Sequence, residues 1–172
     1  MIRGLTLTHP WAFCVAHLGK DVENRVWRPE RQGGKVGMFL AIHGGSVPKN
    51  GGKLHEAIAD VRHIEKLWPQ ITPQLSCADR DWLAEEWLPD DREVPCALDF
   101  FTPGIVAVAR LRKVTQSSSS IWAVQDQFHW HLADVVPFPE AIPHRGARGL
   151  WELEPAALAR ARELYRGARA TW

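Results

Sequence analysis

Between Gly19 and Arg25 the chain reads Gly-Lys-Asp-Val-Glu-Asn-Arg, with Trp27 two residues further on. If Val22 to Trp27 is extended, strand alternation puts Glu23, Arg25 and Trp27 on one face and Val22, Asn24 and Val26 on the other. Lys20 then stands at the mouth of a row made of carboxylate, guanidinium and indole. Such a row suits a flat, polar or anionic ligand. The planar donor fork of arginine matches a phosphate or a base edge, and lysine beside a carboxylate can hold a phosphate or act as a base. Trp11 and Trp27 each offer a stacking plane, worth roughly 1–3 kcal/mol per base. The same residues also allow a purely structural arrangement. In it Glu23 pairs with Arg25 or Lys20 to brace strand to helix, and Trp11 lies in the core.

Other reactive residue types are less organised. His129 and His131 share a face if their stretch is a strand, and His9 and His43 lie near the proposed cleft. A catalytic zinc wants three converging ligands, usually with an acidic partner, and His-x-His alone does not supply them; no metal site is assigned. Arg145 precedes Gly146 on a loop, where an arginine either reaches into a cleft or stays solvated. Ser46 and the run Ser117 to Ser120 lack a nucleophile elbow, and no cysteine neighbours an obvious base. Gly44-Gly45 and Gly51-Gly52 are not followed by the Lys-Ser/Thr of a phosphate loop. No cofactor is implied.

The elements that must position these residues can be read in order. Leu5 and Leu7 alternate with Thr6 and Thr8 as a short strand. Pro10 suits the first position of a helix carrying Trp11, Cys14, Val15 and Leu18, and Gly19 suits its left-handed cap. Val22 to Trp27 is the next strand, broken by Pro29 and Gly33-Gly34, and Met38 to His43 is another. From about residue 46 to 103 the texture is helical. Leu54, Ile58, Val61, Leu67 and Trp68 predict an amphipathic helix stopped by Pro69, and Ser76 to Trp87 predicts a second, with Ser76 and Asp79 placed as a capping box. This segment reads as an insertion without a motif of its own. Gly104 to Val114 is the most strand-like run, central and buried. Phe128 to Val135 predicts a strand, after which Pro137, Pro139 and Pro143 predict an irregular path. Gly149 to Leu153 is a last short strand, and Pro155 opens a helix that Gly167 ends. Strands with flanking helices and few hairpin signals predict an α+β chain built on a small β-barrel.

The totals fit one domain with a core of its own: 172 residues, 45% hydrophobic and 24% charged. A net charge of +1 carries no overall basic field, so nucleic-acid binding would rest on a local patch. Nine tryptophans against one tyrosine is unusual: some must be core, and that many indoles also offer stacking surfaces for bases. Three cysteines (Cys14, Cys77 and Cys96) cannot all pair and form no C-x-x-C, which predicts reduced thiols and a cytoplasmic setting. No stretch has the length or apolarity of a signal peptide core or a membrane span, so no membrane partner is expected.

His9-Pro10-Trp11-Ala12, Gly19-Lys20-x-x-Glu23-x-Arg25, Ala41-Ile42-His43 and Gly104-Ile105-Val106-Ala107 resemble, in motif and order, the ASCH family of PUA-like domains. Trp130-x-Leu132-x-Asp134-Val135, Ile142-Pro143-x-Arg145-Gly146 and Gly149-Leu150-Trp151 resemble the family's C-terminal half. The resemblance runs from about Leu5 to Leu153. It implies a PUA-like β-barrel with a cleft beside the G-K-x-x-E-x-R strand, and binding of RNA or a nucleotide whose base can be modified. Trp11, Lys20, Glu23, Arg25, Trp27, His43 and Arg145 would line that cleft.

Some relatives are hydrolases, acting on N4-acetylcytidine or on RNA. In the deacylating branch a lysine, a threonine and a glutamate act together. Lys20 falls on the lysine, but Glu23 stands on the threonine, so that mechanism does not transfer as it stands. His9 also stands where relatives commonly carry glutamine. A hydrolase on this cleft would need water as nucleophile, with Lys20 or Glu23 as base. A third expectation is an interaction module that docks a protein partner through the insertion and the arginine-rich tail.

Overall fold

The structure, a computed structural model, describes residues 2–86 and 99–170. Leu5 and Leu7 turn inward from β1 (Ile2–Leu7), and α1 (Trp11–His17) follows, starting one residue after Pro10. Gly19, at φ +65°, reverses the chain so that the Lys20 amide donates back to the Cys14 carbonyl. β2 (Val22–Arg25) follows at once, ending two residues before the expected limit at Trp27. β3 (Phe39–Gly44) is next, then α2 (Gly51–Ile71) and α3 (Cys77–Glu86). β4 (Gly104–Thr115), β5 (Phe128–Ile142), β6 (Leu150–Trp151) and α4 (Pro155–Ala170) complete the order.

The strands form one mixed sheet in the order β2-β5-β4-β3-β1-β6, curled into half of a barrel. β1 runs parallel to β3, which sets Thr6 beside His43 and Leu7 beside Gly44; every other pairing is antiparallel. The small barrel expected from the order of strands and helices is a half-barrel here, since the sheet keeps two edges, β2 and β6. β4 lies inside the sheet, and its apolar run from Gly104 to Ala109 is buried on both faces. Bulges against β5 send Val106, Ala107, Ala109 and Leu111 to the concave core with α1, and Ile105 and Val108 to the face covered by α4. A further core cluster joins α1 to the insertion: Phe13, Leu18 and Val22 pack with Val61, Ile64 and Ile71 of α2 and Leu83 of α3.

Three expectations about elements are corrected. Pro69 does not stop α2, which runs two residues further and continues into a 3-10 turn at Thr72–Gln74. A proline in the last turn removes few helical bonds, and burial of Trp68 and Ile71 holds that turn in place. Pro137 and Pro139 do not break β5. Among the described residues, bonding on its β2 side ends at Leu132, whose amide donates to the Asp21 carbonyl, and the open edge beyond tolerates residues without an N–H. Gly167 lies inside α4 rather than ending it. The expected cap of α3 is formed: the Asp79 amide donates to Ser76 Oγ at 3.1 Å, and that hydroxyl donates to the Asp79 carboxylate at 2.6 Å. Trp87, the predicted end of this helix, and Cys96 lie outside the described residues; of the other cysteines, Cys14 is buried and Cys77 exposed, both free thiols. Among the described residues no helix is long and apolar enough to cross a membrane.

Candidate functional site

The turn at Gly19 aims Lys20 into the fold instead of out to water. Its side chain is 3% exposed, and its ammonium donates to the Val22 carbonyl and to Glu23 Oε2, the latter at 3.0 Å. The Trp11 ring covers it at 5.8 Å. Glu23, 10% exposed, reaches Arg25 with its other oxygen: Oε1 lies 3.0 Å from Arg25 Nε, an ion pair without hydrogen-bond alignment. One carboxylate therefore bridges two cations. Withdrawing the lysine from water costs several kcal/mol, about what a carboxylate, a carbonyl and an indole face can together restore. Arg25 is 20% exposed; its Nη2 donates to the Thr6 carbonyl at 3.2 Å, and its guanidinium sits 6.0 Å from the Trp27 ring.

Two adjoining cavities open on this bridge. The smaller, of about 380 Å³, holds Trp11, Lys20, Glu23 and Arg25, together with Asn24, Trp122 and Gln127. The larger, of about 1080 Å³, holds Arg25, Trp27, His9, His43 and Arg145. Thr6, Leu7, Thr8 and Arg25 belong to both and form the wall between them. The seven residues named from the sequence are shared between these two adjoining cavities, which meet at Arg25. The expected single row is altered in one respect. β2 ends at Arg25, so Trp27 lies beyond the strand, in edge-to-face contact with Trp130 at 4.8 Å, and faces only the larger chamber. Trp11, which the sequence allowed as core or as stacking plane, is half-buried against two core clusters and also lines the smaller chamber.

The imidazoles sit deeper than their sequence positions suggested. His9 Nε2 donates to the Gly45 carbonyl at 2.8 Å and His43 Nε2 to the His144 carbonyl at 2.9 Å. Among the described residues neither Nδ1 has a partner. Burial lowers the pKa of both rings, outweighing those carbonyl bonds, so at neutral pH each presents an acceptor nitrogen. His129 and His131 are occupied structurally, bonded to the Val124 carbonyl and to Thr115 Oγ1. Among the described residues no cluster of three His, Cys, Asp or Glu side chains assembles that could hold a metal ion.

Arg145 stands exposed on the rim of the larger chamber beside Arg148. Gly146 explains how that loop comes so close. A Cβ there would lie 2.6 Å from Thr6 Oγ1 and His43 Cε1, so only glycine lets the loop rest on β1 and β3. His144 stacks on Trp151 at 4.8 Å, and Trp151 Nε1 donates to Thr6 Oγ1 at 3.1 Å, which fixes the base of the loop.

Sequence reasoning missed the part played by the insertion. α2 lies along both chambers, with Lys53, Glu56 and Asp60 on the larger and His63 and Leu67 on the smaller. Desolvation raises the Asp60 pKa, opposed by a hydrogen bond from the Trp11 side chain that ties α2 to α1. The signal was the polar stripe at positions 53, 56, 60 and 63, beside the apolar stripe Ala57, Val61 and Ile64. That pattern marks a boundary face without saying what it borders. Asn24, assigned to the opposite face of β2, was also missed. Its Nδ2 donates to the Trp122 carbonyl at 2.8 Å and its Oδ1 accepts the Val124 amide at 3.0 Å, holding the loop that carries Trp122 and Gln127 against the smaller chamber. No protein-family model matches the chain, and no curated protein matches it.

Proposed function

We propose that this protein binds RNA or a nucleotide, modified bases included, in the cleft beside β2, as a PUA-like module of the ASCH type. The observation that carries the reading is the Lys20–Glu23–Arg25 bridge at the junction of two chambers. Glu23 holds Arg25, 20% exposed, at the junction, where the guanidinium hydrogens not turned to Glu23 or the Thr6 carbonyl can meet a phosphate or a base edge. Trp11 and Trp122 flank the smaller chamber with indole surface, and Gln127 adds an amide suited to hydrogen-bonding a base. Binding is favoured over hydrolysis because both Glu23 oxygens are already held by cations, and the Lys20 ammonium is spent on Val22 and Glu23.

Titration against single-stranded RNA and a panel of modified nucleosides tests this, with Arg25→Ala and Lys20→Ala alongside and thermal melting as a control for folding. Loss of binding in a folded Arg25→Ala variant is the expected result. Unchanged affinity in both variants removes the cleft from the account. Incubation with N4-acetylcytidine and with labelled RNA tests the hydrolytic alternative. Turnover that disappears in Glu23→Gln would make the protein an enzyme.

A further inference from the structure

The two chambers have opposite chemical characters. The smaller is walled by Trp11, Trp122, Leu67 and Ile121, with amides from Asn24 and Gln127. The ammonium in it, Lys20, is buried and neutralised by Glu23. The larger gathers Arg25, Lys53, Arg145 and Arg148 against Glu56 and Asp60, an excess of positive charge. Among the described residues none of Lys53, Arg145 or Arg148 is paired with a carboxylate. The smaller volume stands near the low end of small-molecule pockets and the larger at their upper end.

Given the nucleotide reading above, on which this rests, we infer that the chambers form one site for a phosphorylated mononucleotide. The nucleoside lies in the smaller chamber and its phosphates in the larger, with Arg25 contacting the junction. The distribution of charge favours this over a nucleic-acid strand. Proteins that follow a single strand repeat cations and aromatic planes along its length, because every nucleotide carries both a phosphate and a base. Here the unpaired cations Lys53, Arg145 and Arg148 all lie in the larger chamber, which also holds Trp27 and Gln32, while the smaller pairs two indoles with two amides and carries no unpaired cation, which matches the polarity of a single nucleotide. α2 is common to both ends: its apolar side is anchored in the core through Val61 and Ile64, and it lies along both chambers. Lys53 and the Arg145–Arg148 loop approach the larger chamber from different elements, α2 and the β5–β6 connection, so a phosphate chain between them would join the insertion to the sheet.

The test is calorimetric titration of the full chain at low salt. The ligands are each common nucleoside, its 5′-monophosphate and 5′-triphosphate, inorganic tripolyphosphate and an eight-residue single-stranded RNA. The triphosphate is expected to bind at least about tenfold more tightly than its nucleoside, the effect of one well-placed charge-assisted contact. That ratio should fall with added salt, and tripolyphosphate should compete with the triphosphate. In Lys53→Ala and in Arg145→Ala/Arg148→Ala the ratio should shrink below about threefold, with melting temperatures unaltered because all three side chains are exposed. Equal affinity for nucleoside and triphosphate overturns the phosphate chamber while leaving the nucleotide reading in place. An RNA octamer that binds more than about tenfold tighter than every triphosphate overturns the mononucleotide in favour of a strand. Binding of none of these ligands overturns the site for a common mononucleotide, and silence of the modified-nucleoside panel as well removes the nucleotide reading.

Discussion

Replacing Glu23 with glutamine keeps the shape of the side chain and removes the charge that holds Lys20 and Arg25 together. Its two oxygens sit 3.0 Å from Lys20 Nζ and 3.0 Å from Arg25 Nε. After the change, a lysine that is 3% exposed has lost its counter-charge and keeps only neutral acceptors, the Val22 carbonyl and the glutamine amide oxygen, beside the Trp11 face. Breaking a buried ion pair from one side costs about 3–5 kcal/mol. Arg25, 20% exposed, recovers some hydration, which places the expected cost near the lower end, about 3 kcal/mol. For a chain of this length each kcal/mol lowers the melting temperature by about 2–4 °C, so Glu23→Gln should melt roughly 6–12 °C below the wild type. Lys20→Met should cost less, since Glu23 keeps Arg25. The double variant Lys20→Met/Glu23→Gln should lose less than the sum of the two by about 1–3 kcal/mol, measured by urea denaturation as a double-mutant cycle. A loss under about 1 kcal/mol for Glu23→Gln, or additivity within about 0.5 kcal/mol, would mean that water already screens the bridge, and the account of a buried relay fails.

Three other predictions follow from local packing. Burial lowers the His17 pKa to about 4, opposed by Asp79; its ring packs on Phe13 and stacks on Trp82. Because the unfolded chain binds the proton more readily, His17's contribution is complete above about pH 6.5 and is lost as pH falls toward 4. Denaturation across that window should show a decline of up to about 2–3 kcal/mol that His17→Phe reduces. Asn24→Ala removes two bonds to the loop of Trp122 and Val124; it should cost about 2 kcal/mol in urea and weaken ligand binding in the smaller chamber. Gly44→Ala would put a Cβ 1.9 Å from the Thr102 carbonyl oxygen and should destabilise by about 3 kcal/mol, whereas Gly167→Ala, with open space inside α4, should raise the melting temperature slightly.

What the sequence determined by itself was local in origin. Alternation marked β1, β3 and β4, a glycine at the end of an apolar helical repeat marked the turn before Lys20, and the spacing of Lys20, Glu23 and Arg25 brought those charges to one place. Contacts between neighbours in the chain are encoded by neighbours in the chain, so these features could be read without a fold. Even the bridge is of this kind, since its three members lie within six positions. What needed the tertiary structure depends on partners far apart in the chain. Pro137 is tolerated because β2 is too short to cover the far half of β5. Asn24 is spent on a loop 98 to 100 residues away. Gly146 is required because His43 and Thr6 lie beneath it. The insertion, which carried no motif, supplies one side of both chambers, because an amphipathic helix records that it has a buried face but not what lies beside it. For the same reason the Gly19–Arg25 segment specified a charged bridge but not two chambers. The second chamber is assembled from β1, β3, α2 and the loop of Arg145, and the curl of the sheet alone brings them to Arg25.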